Sequence, residues 1–380
     1  MTDAGWPAWL DQRLEAIEQE GRWRAHRTFD AVGPRGHLDG REVVSFASND
    51  YLGLTAHPAV VAAAHEALDR WGAGSGAARL VTGTRPIHAE LEAELAEWKG
   101  TEAAIVLPTG FATNLGVLTA LGGPGTRIVS DELNHASIID GARLARADVA
   151  IWPHGDLDGL DRLLAEAPGR ALVVTDSVFS MDGDAADLDA VAAACRDHGA
   201  LLVIDEAHAV LGPDPSPSTF EGVEAVRVGT LSKTLGALGG FAAGSRRVID
   251  LLVNTARSAI FTTALSPADA AAARAALAIV RGPEGTELRA RLRHHVDALA
   301  PGHPSPIVPV VLGDEDAAVA AAATLADQGL FVPAIRPPTV APGTSRLRVT
   351  VSAAHTDDEV ARLRAALDDL GAPLPGATGR

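Results

Sequence analysis

The sequence of 380 residues contains only two lysines, Lys99 and Lys233, although lysine and arginine together number 32. A guanidinium stays protonated and does not act as an amine nucleophile, so these two side chains are the only candidate amines. Lys99 ends a charged helical pattern just before Gly100, which is typical of a structural lysine at a helix C-terminus. Lys233 lies in a loop of small residues without a neighbouring acid. It is therefore the candidate for chemistry.

Cysteine, basic charge and long apolar runs are also scarce. The single Cys195 lies in an apolar helical run, which predicts a core position and a reducing cytoplasm. The net charge of −17 argues against nucleic acid or an anionic membrane as a partner. Neither an apolar segment of export-signal type near the start nor a run of 18 apolar residues is present. We therefore expect a cytoplasmic protein with no nucleic-acid or membrane partner.

Short apolar runs alternate with helical patterns in the middle of the chain, which is typical of an α/β protein. The runs are 104–107, 127–129, 172–174, 201–204 and 226–228. Because they are apolar throughout, they predict a mostly parallel sheet with helices on both faces. We predict an N-terminal arm over 1–45, a large α/β domain over 46–275 and a smaller C-terminal α+β domain over 276–380.

Polar residues follow each of these runs. The polar segments are 109–111, 131–135, 177–180, 205–208 and 230–233. Open α/β sheets bind ligands beyond the carboxyl ends of their strands, so these five loops are expected to meet in one cleft.

The residues of this cleft match the requirements of pyridoxal 5'-phosphate. The cofactor needs an amine for its aldehyde, an acid at its ring nitrogen, donors for its phosphate and a flat group over its ring. Lys233 supplies the amine. Asp205 directly follows a buried strand, where a protonated ring nitrogen would compensate its charge. The alternative for Asp205 is an N-cap of the next helix.

His208 and Ser180 are candidates for the phenolic oxygen of the cofactor, and His135 is a candidate for stacking on its ring. Taken alone, Ser180 is typical of an ordinary turn residue, and His135 is typical of a polar histidine with satisfied hydrogen bonds. Gly110 and Phe111 stand at a predicted helix start, where backbone N–H groups favour a phosphate.

Three further polar side chains complete the set. Thr230 adds a hydroxyl for the phosphate. Arg336 lies beside a diproline, and Arg348 lies in an alternating strand pattern. Both arginines are candidates for binding a carboxylate, although in an arginine-rich chain each is also typical of the surface.

Six segments together resemble the α-oxoamine synthases, which are fold-type I pyridoxal 5'-phosphate enzymes related to aspartate aminotransferase. The segments are 49–54, 74–76, 134–137, 179–184, 205–208 and 230–233. The resemblance extends over almost the full length of the chain. One departure is Ala209, which stands where the family usually has glycine.

The resemblance implies that Lys233 holds the cofactor as a Schiff base, Asp205 pairs with the ring nitrogen and His135 stacks on the ring. Further cofactor contacts are implied at Gly110, Phe111, Ser180, His208 and Thr230, and, across a homodimer interface, at Thr262 and Thr263. Substrate contacts are implied at Arg24, Asn49, His135, Arg336, Thr339 and Arg348. Among these, Arg348 is the expected partner of the amino-acid carboxylate.

Within the family, 335–340 and 346–356 look most like the member that joins L-alanine to a pimeloyl thioester in biotin biosynthesis. The resemblance leaves open whether coenzyme A or an acyl carrier protein carries the acyl group. A sister activity, glycine C-acetyltransferase, is an alternative. A nicotinamide-dependent oxidoreductase would need a strand before the glycine run at 72–76, where a helical pattern stands instead. A non-catalytic binding protein on this fold would not need Lys233.

Overall fold

The computed structural model describes residues 5–212 and 215–375. The strands are β1 Phe29–Val32, β2 Arg35–Leu38, β3 Arg41–Ser45, β4 Ala103–Leu107, β5 Thr126–Asp131, β6 Asp148–Trp152, β7 Arg170–Asp176, β8 Leu201–Asp205, β9 Ala225–Thr230, β10 Gly240–Gly244, β11 Ile307–Gly313, β12 Leu330–Phe331, β13 Ala334–Ile335 and β14 Ser345–Thr350. The helices are α1 Trp6–Gln19, α2 Pro58–Trp71, α3 Pro86–Lys99, α4 Gly110–Leu121, α5 Ala136–Leu144, α6 Leu157–Ala165, α7 Leu188–His198, α8 Arg246–Thr255, α9 Arg257–Ile260, α10 Pro267–Arg281, α11 Pro283–Leu299, α12 Glu315–Asp327 and α13 Asp357–Asp369.

A seven-stranded sheet forms the centre of the large lobe, in the order β4-β10-β9-β8-β7-β5-β6. The neighbours β6, β5, β7, β8 and β9 run parallel, whereas β10 is antiparallel to both β4 and β9. The sheet is therefore mostly parallel, as the apolar runs predict. β6 and β10 are additional strands that the sequence patterns did not indicate.

Helices cover both faces of this sheet, which is why its central strands are apolar throughout. On β7, Leu172 and Val174 pack in one cluster with Leu118 of α4. The intervening Val173 packs in a second cluster with Val191 of α7. Burying each such side chain stabilises the fold by about 1.5–3 kcal/mol. The same packing fixes the carboxyl ends of the strands rigidly in place.

The C-terminal lobe is built on a smaller antiparallel sheet in the order β11-β14-β13. The N-terminal arm adds β1, β2 and β3, and β3 pairs in parallel with β12 of this lobe. One apolar cluster contains Leu91 of α3, Phe241 of β10 and Leu347 of β14, so it joins the two lobes. No residue of α1 is buried in the single chain. The described part of the arm is helical and then extended.

Candidate active site

A cavity of about 170 Å³ lies at the carboxyl ends of the central strands. Its lining residues are Thr109, Gly110, Phe111, Asn114, His135, Ser137, Asp176, Asp205, Ala207, His208, Gly229, Thr230, Ser232 and Lys233. The loops that follow β4, β5, β8 and β9 thus meet here, together with the last residue of β7. A larger groove of about 360 Å³ between α2, α3 and α10 is lined by no lysine, histidine or hydroxyl group. Of these two, only the smaller cavity is lined by an amine, imidazoles and hydroxyl groups.

Lys233 lies in a tight turn that follows β9. The backbone N–H of Gly236 donates to the Lys233 carbonyl at 3.0 Å. Gly236 has a φ of +60°, and a Cβ there would lie 2.6 Å from the Thr55 nitrogen, so the turn requires glycine. Burial lowers the pKa of the Lys233 amine, although the nearby charge of Asp205 raises it in part. The turn thus holds a side-chain amine that loses its proton more readily than a solvated one.

His208 places its Nε2 at 3.1 Å from the Lys233 Nζ. Its Nδ1 lies 2.5 Å from the hydroxyl of Tyr51, which is also 3.2 Å from the Asn49 Oδ1. Burial, followed by the charges of Lys233 and Arg348, lowers the pKa of His208 well below its usual value. His208 is therefore a neutral imidazole at physiological pH. Sequence reasoning did not single out Tyr51 as a site residue, although it is the only tyrosine of the chain.

Asp205 ends β8 with its carboxylate on the cavity wall. Its Oδ2 accepts a hydrogen bond from the Asn114 amide at 2.6 Å, and its Oδ1 accepts one from the Ala207 N–H at 2.9 Å. Within the described part of the chain, no helix begins between Asp205 and residue 212, so Asp205 is not a helix N-cap. The N-cap alternative for Asp205 is thus wrong. Asn114, on α4, was not predicted as a site residue.

His135 stands at the N-terminus of α5 with its imidazole on the cavity wall. Its Nδ1 lies 2.8 Å from the Ser137 hydroxyl, and its backbone N–H donates to the Asp176 Oδ2 at 2.9 Å. Burial lowers the pKa of His135, and the nearby charge of Asp205 raises it in part. Asp176 and Ser137 are further cavity residues that the sequence patterns did not indicate.

The N-terminus of α4 forms the next part of the wall. Thr109 caps this helix by accepting from the Ala112 N–H at 3.0 Å. The first helical residues, Gly110 and Phe111, thus bring the positive end of the helix dipole to the cavity. Thr230 lies opposite, and a Cβ on Gly110 would be only 3.3 Å from its Cβ. The sequence predicts a phosphate site at these residues, and we refer to this close-fitting part of the wall as the anion cradle.

Arg348 lies on β14, is buried and is not among the residues that line the cavity. Its Nε donates to the Ser180 carbonyl at 2.6 Å, its Nη1 to the Thr350 hydroxyl at 3.0 Å and its Nη2 to the Asn49 Oδ1 at 3.2 Å. All three partners are neutral. Among the described residues, no carboxylate lies within 4.0 Å of this guanidinium. By contrast, the neighbouring Arg346 is paired with Asp182.

Several predicted site residues are not on the cavity wall in the single chain. Ser180 reaches Arg348 through its backbone carbonyl. An Nη2 group of Arg336 donates to the Gly21 carbonyl at 3.2 Å. Four more predicted residues are not among those that line the cavity: Arg24, which is exposed in the arm, Thr339, which is exposed after β13, and Thr262 and Thr263, which lie between α9 and α10. Their proposed roles stay predictions.

Comparison with known proteins identifies the family. Residues 41–367 match the model of the family described as aminotransferase class I and II. The chain is 47% identical to 8-amino-7-oxononanoate synthase of Geobacter sulfurreducens, covering 95% of this chain and 97% of that protein. It is 48% identical to the enzyme of the same name from Anaeromyxobacter sp., covering 98% of both chains. The chain belongs to this aminotransferase family.

Solved structures show the same fold. The serine palmitoyltransferase of Sphingomonas wittichii superposes with a TM-score of 0.87 at 31% identity, covering 98% of this chain and all of that one. An 8-amino-7-oxononanoate synthase from Francisella tularensis gives a TM-score of 0.72 at 26% identity, covering 86% and 96%. The α-oxoamine synthase assignment and the fold-type I architecture are thereby confirmed. Among the described residues, no helix is long and apolar enough to cross a membrane.

Proposed function

We propose that this family member condenses L-alanine with a pimeloyl thioester, releasing CO₂ and the free thiol, to give 8-amino-7-oxononanoate. The relatives that carry this enzyme's name match almost the whole chain. The observation that carries the proposal is the cavity in which the Lys233 amine, His208 and the Asp205 carboxylate meet. Bound pyridoxal 5'-phosphate supplies the electron sink that stabilises a carbanion at the amino-acid Cα.

The residues present fit this cofactor. Asp205 has only neutral hydrogen-bond donors, Asn114 and Ala207, so its buried charge is open to a cationic partner. The N-terminus of α4 and Thr230 suit a phosphate. A solved relative with a TM-score of 0.87, described as serine palmitoyltransferase with its PLP internal aldimine, holds the same cofactor. The residues that would hold it are Lys233 at the aldehyde, Asp205 at the ring nitrogen, His135 over the ring, His208 and Ser180 at the phenolic oxygen, and Gly110, Phe111 and Thr230 at the phosphate.

Lys233 is the general base of the proposal. Its amine must be neutral to take the proton from the alanine Cα, and burial favours that neutral form. After CO₂ is lost, the same amine returns the proton to the product carbon. His208, held by Tyr51, keeps its Nε2 beside the Lys233 Nζ and thereby orients the amine.

Arg348 binds the alanine carboxylate in this proposal. Its buried guanidinium has only the neutral partners Ser180, Thr350 and Asn49, so its charge is not compensated within the described chain. A buried cation with neutral partners favours the arrival of an anion. Arg24, Asn49, Arg336 and Thr339 are proposed to contact the rest of the substrates.

The proposal also includes a cytoplasmic homodimer in which Thr262 and Thr263 reach the partner's phosphate site. Phe261 and Val81, near this segment, are exposed in the single chain at 70% and 73%. Exposed large apolar side chains are typical of a protein interface. The buried free Cys195 is consistent with a reducing compartment. The acyl carrier is coenzyme A or a carrier protein.

Absorption spectroscopy and thiol release test this function. The purified protein with added cofactor should absorb in the visible and release thiol from pimeloyl-CoA with L-alanine. The Lys233→Arg variant, which keeps the charge but cannot form the Schiff base, should lose both signals. Thiol release from acetyl-CoA with glycine, and none with L-alanine, would indicate the sister activity. A wild-type protein that stays colourless would contradict the proposal.

A further inference from the structure

Two carboxylates stand side by side at the cavity. β7 and β8 are parallel neighbours, and their last residues, Asp176 and Asp205, are register partners. Partners in register across a sheet point to the same face, and both side chains line the cavity. Asp176 is 3% exposed and Asp205 is 5% exposed. Two carboxylates so close together and so deeply buried do not readily ionise together.

The hydrogen bonds of the two carboxylates differ. Asp205 accepts from the Asn114 amide and from the Ala207 N–H, one donor to each oxygen. Asp176 accepts on its Oδ2 from the His135 N–H at 2.9 Å. Donors on both oxygens stabilise the ionised form, so the geometry places the negative charge on Asp205.

The surroundings of Asp176 also favour its protonated form. Burial comes first among the causes that raise the pKa of Asp176, and the charges of Asp205 and Asp131 add to it. The Lys233 amine and the His135 N–H act in the opposite direction. Lys233 is itself buried, and that burial lowers the pKa of its amine.

Asp176 also clamps the loop that carries His135. Its backbone N–H donates to the Asn134 Oδ1 at 3.0 Å, while its side chain accepts from the His135 N–H. The Asn134 amide in turn donates to the Val174 carbonyl at 2.8 Å. Two consecutive residues of the loop, Asn134 and His135, are thus hydrogen-bonded to the C-terminal end of β7.

We propose that Asp176 is a positioning residue that stays protonated at neutral pH, holding the His135 loop while Asp205 carries the negative charge alone. This inference rests on the proposed function for the role of His135. A neutral Asp176 keeps a second negative charge away from Asp205 and so preserves the ionised partner that a cationic ring nitrogen needs. Asp176 at the end of β7 therefore positions the His135 loop, and Asp205 at the end of β8 supplies the negative charge.

The same substitution on the two strands tests this division. Asparagine matches a protonated aspartate in shape and still accepts from the His135 N–H. In the holoenzyme, Asp176→Asn should keep the cofactor dissociation constant and the pH dependence of its visible absorption within about threefold of wild type. The matched Asp205→Asn variant loses a charged hydrogen-bond partner and should bind the cofactor about 10- to 100-fold more weakly.

The Asp176→Ala variant tests whether the hydrogen bond from the His135 N–H to Asp176 matters, or whether the site tolerates any substitution. It removes the acceptor of the His135 N–H and should weaken cofactor binding by about three- to tenfold, an effect that Asp176→Asn should not show. If Asp176→Asn were as damaging as Asp205→Asn, Asp176 would act in its ionised form and the proposal would be overturned. If Asp176→Ala behaved like wild type, the clamp would have no role.

An infrared measurement on the wild-type protein tests the protonation of Asp176 directly. The wild-type spectrum should contain a protonated carboxyl band that is absent from the Asp176→Asn spectrum. Its absence from wild type would overturn the proposal. Failure of the proposed function is recognised separately, since it would leave wild type without cofactor absorption or thiol release.

Discussion

Asp205 and Glu206 are consecutive in sequence but belong to two different charged clusters. Asp205 faces the open cavity with Lys233 and His208. Glu206 lies in a closed cluster, where its carboxylate is 2.6 Å from the Lys99 Nζ and 2.5 Å from an Arg227 nitrogen. The two lysines of the chain are thus divided between the clusters. The rarity of lysine alone therefore does not show which of the two takes part in chemistry.

Charge compensation does distinguish them. Burial raises the pKa of Glu206, but the charges of Lys99 and Arg227 outweigh it, so the net pKa is lowered. Arg227 also donates to the Lys99 carbonyl at 2.9 Å, which closes the cluster. In the open cluster, the Lys233 amine has an imidazole, not a carboxylate, at hydrogen-bond distance. The closed cluster is suited to stability and the open one to chemistry.

The largest expected effect comes from removing the amine of the open cluster. Lys233→Ala should lower kcat by about 10³-fold or more, because it removes both the cofactor anchor and the general base. The melting temperature of the cofactor-free protein should not fall. The substitution removes a buried amine that forms no ion pair with a carboxylate, so no stabilising pair is lost. Thiol-release assays and thermal unfolding measure the two effects. Activity near the wild-type level would assign the chemistry elsewhere.

The closed cluster should show the reverse pattern. Lys99→Ala leaves Glu206 buried with one cation and should lower the free energy of unfolding by about 3–5 kcal/mol. The visible absorption of the cofactor should persist in the folded variant. Arg41→Ala is the control, because the Arg41–Asp327 pair at 3.5 Å is exposed and should contribute less than about 1 kcal/mol. Equal losses in the two variants would contradict the assignment of Lys99 to a stabilising role.

A smaller effect is expected at the anion cradle of the open cluster. Gly110→Ala places a Cβ 3.3 Å from the Thr230 Cβ and 3.4 Å from its hydroxyl, so one of the two must shift. Such overpacking costs about 1 kcal/mol or more, which should weaken cofactor binding at least about fivefold. Gly74→Ala is a matched control, because its Cβ would meet nothing within 4 Å. Titration of cofactor absorption measures both, and equal affinities would show that the cradle adapts.

The sequence predicts the parts of this molecule that depend on local patterns. The central parallel strands were recognisable because both faces of each are buried, which gives continuous apolar runs. β10, with the sequence Gly-Phe-Ala-Ala-Gly, was not recognisable. Its two glycines and two alanines have low strand propensity, and its neighbours in the sheet, β4 and β9, impose its conformation. β6 was missed because three of its five residues are exposed and its first is an aspartate.

The site was predictable where residue type and position at a strand end suffice, as for Lys233, Asp205 and His208. Contacts between distant segments were not. Tyr51 and His208 are separated by 157 residues, and Asn114 and Asp205 by 91. Asp176 resembles any polar residue that ends a strand, and its role depends on the pairing of β7 with β8. Pairing across strands is a property of the folded chain that no local pattern encodes.

A third charged group, in which the His154 side chain is 26% exposed and that of Asp184 is 40% exposed, should show the smallest effect. The His154 ring lies between two carboxylates, with Nδ1 3.0 Å from Asp131 and Nε2 2.7 Å from Asp184. Burial lowers the pKa of His154, but the hydrogen bonds and charges of the two aspartates outweigh it, so the net pKa is raised. The folded state therefore binds this proton more tightly than the unfolded state, whose reference pKa is 6.5. The stabilisation is fully present below that value and is lost as the pH rises through the higher pKa of the folded protein.

His154→Gln should thus cost more unfolding free energy at about pH 6 than at about pH 9, by about 0.2–1 kcal/mol for a partly exposed pair. Urea unfolding of both proteins at the two pH values measures this difference, and equal costs would mean that His154 stays neutral between its carboxylates.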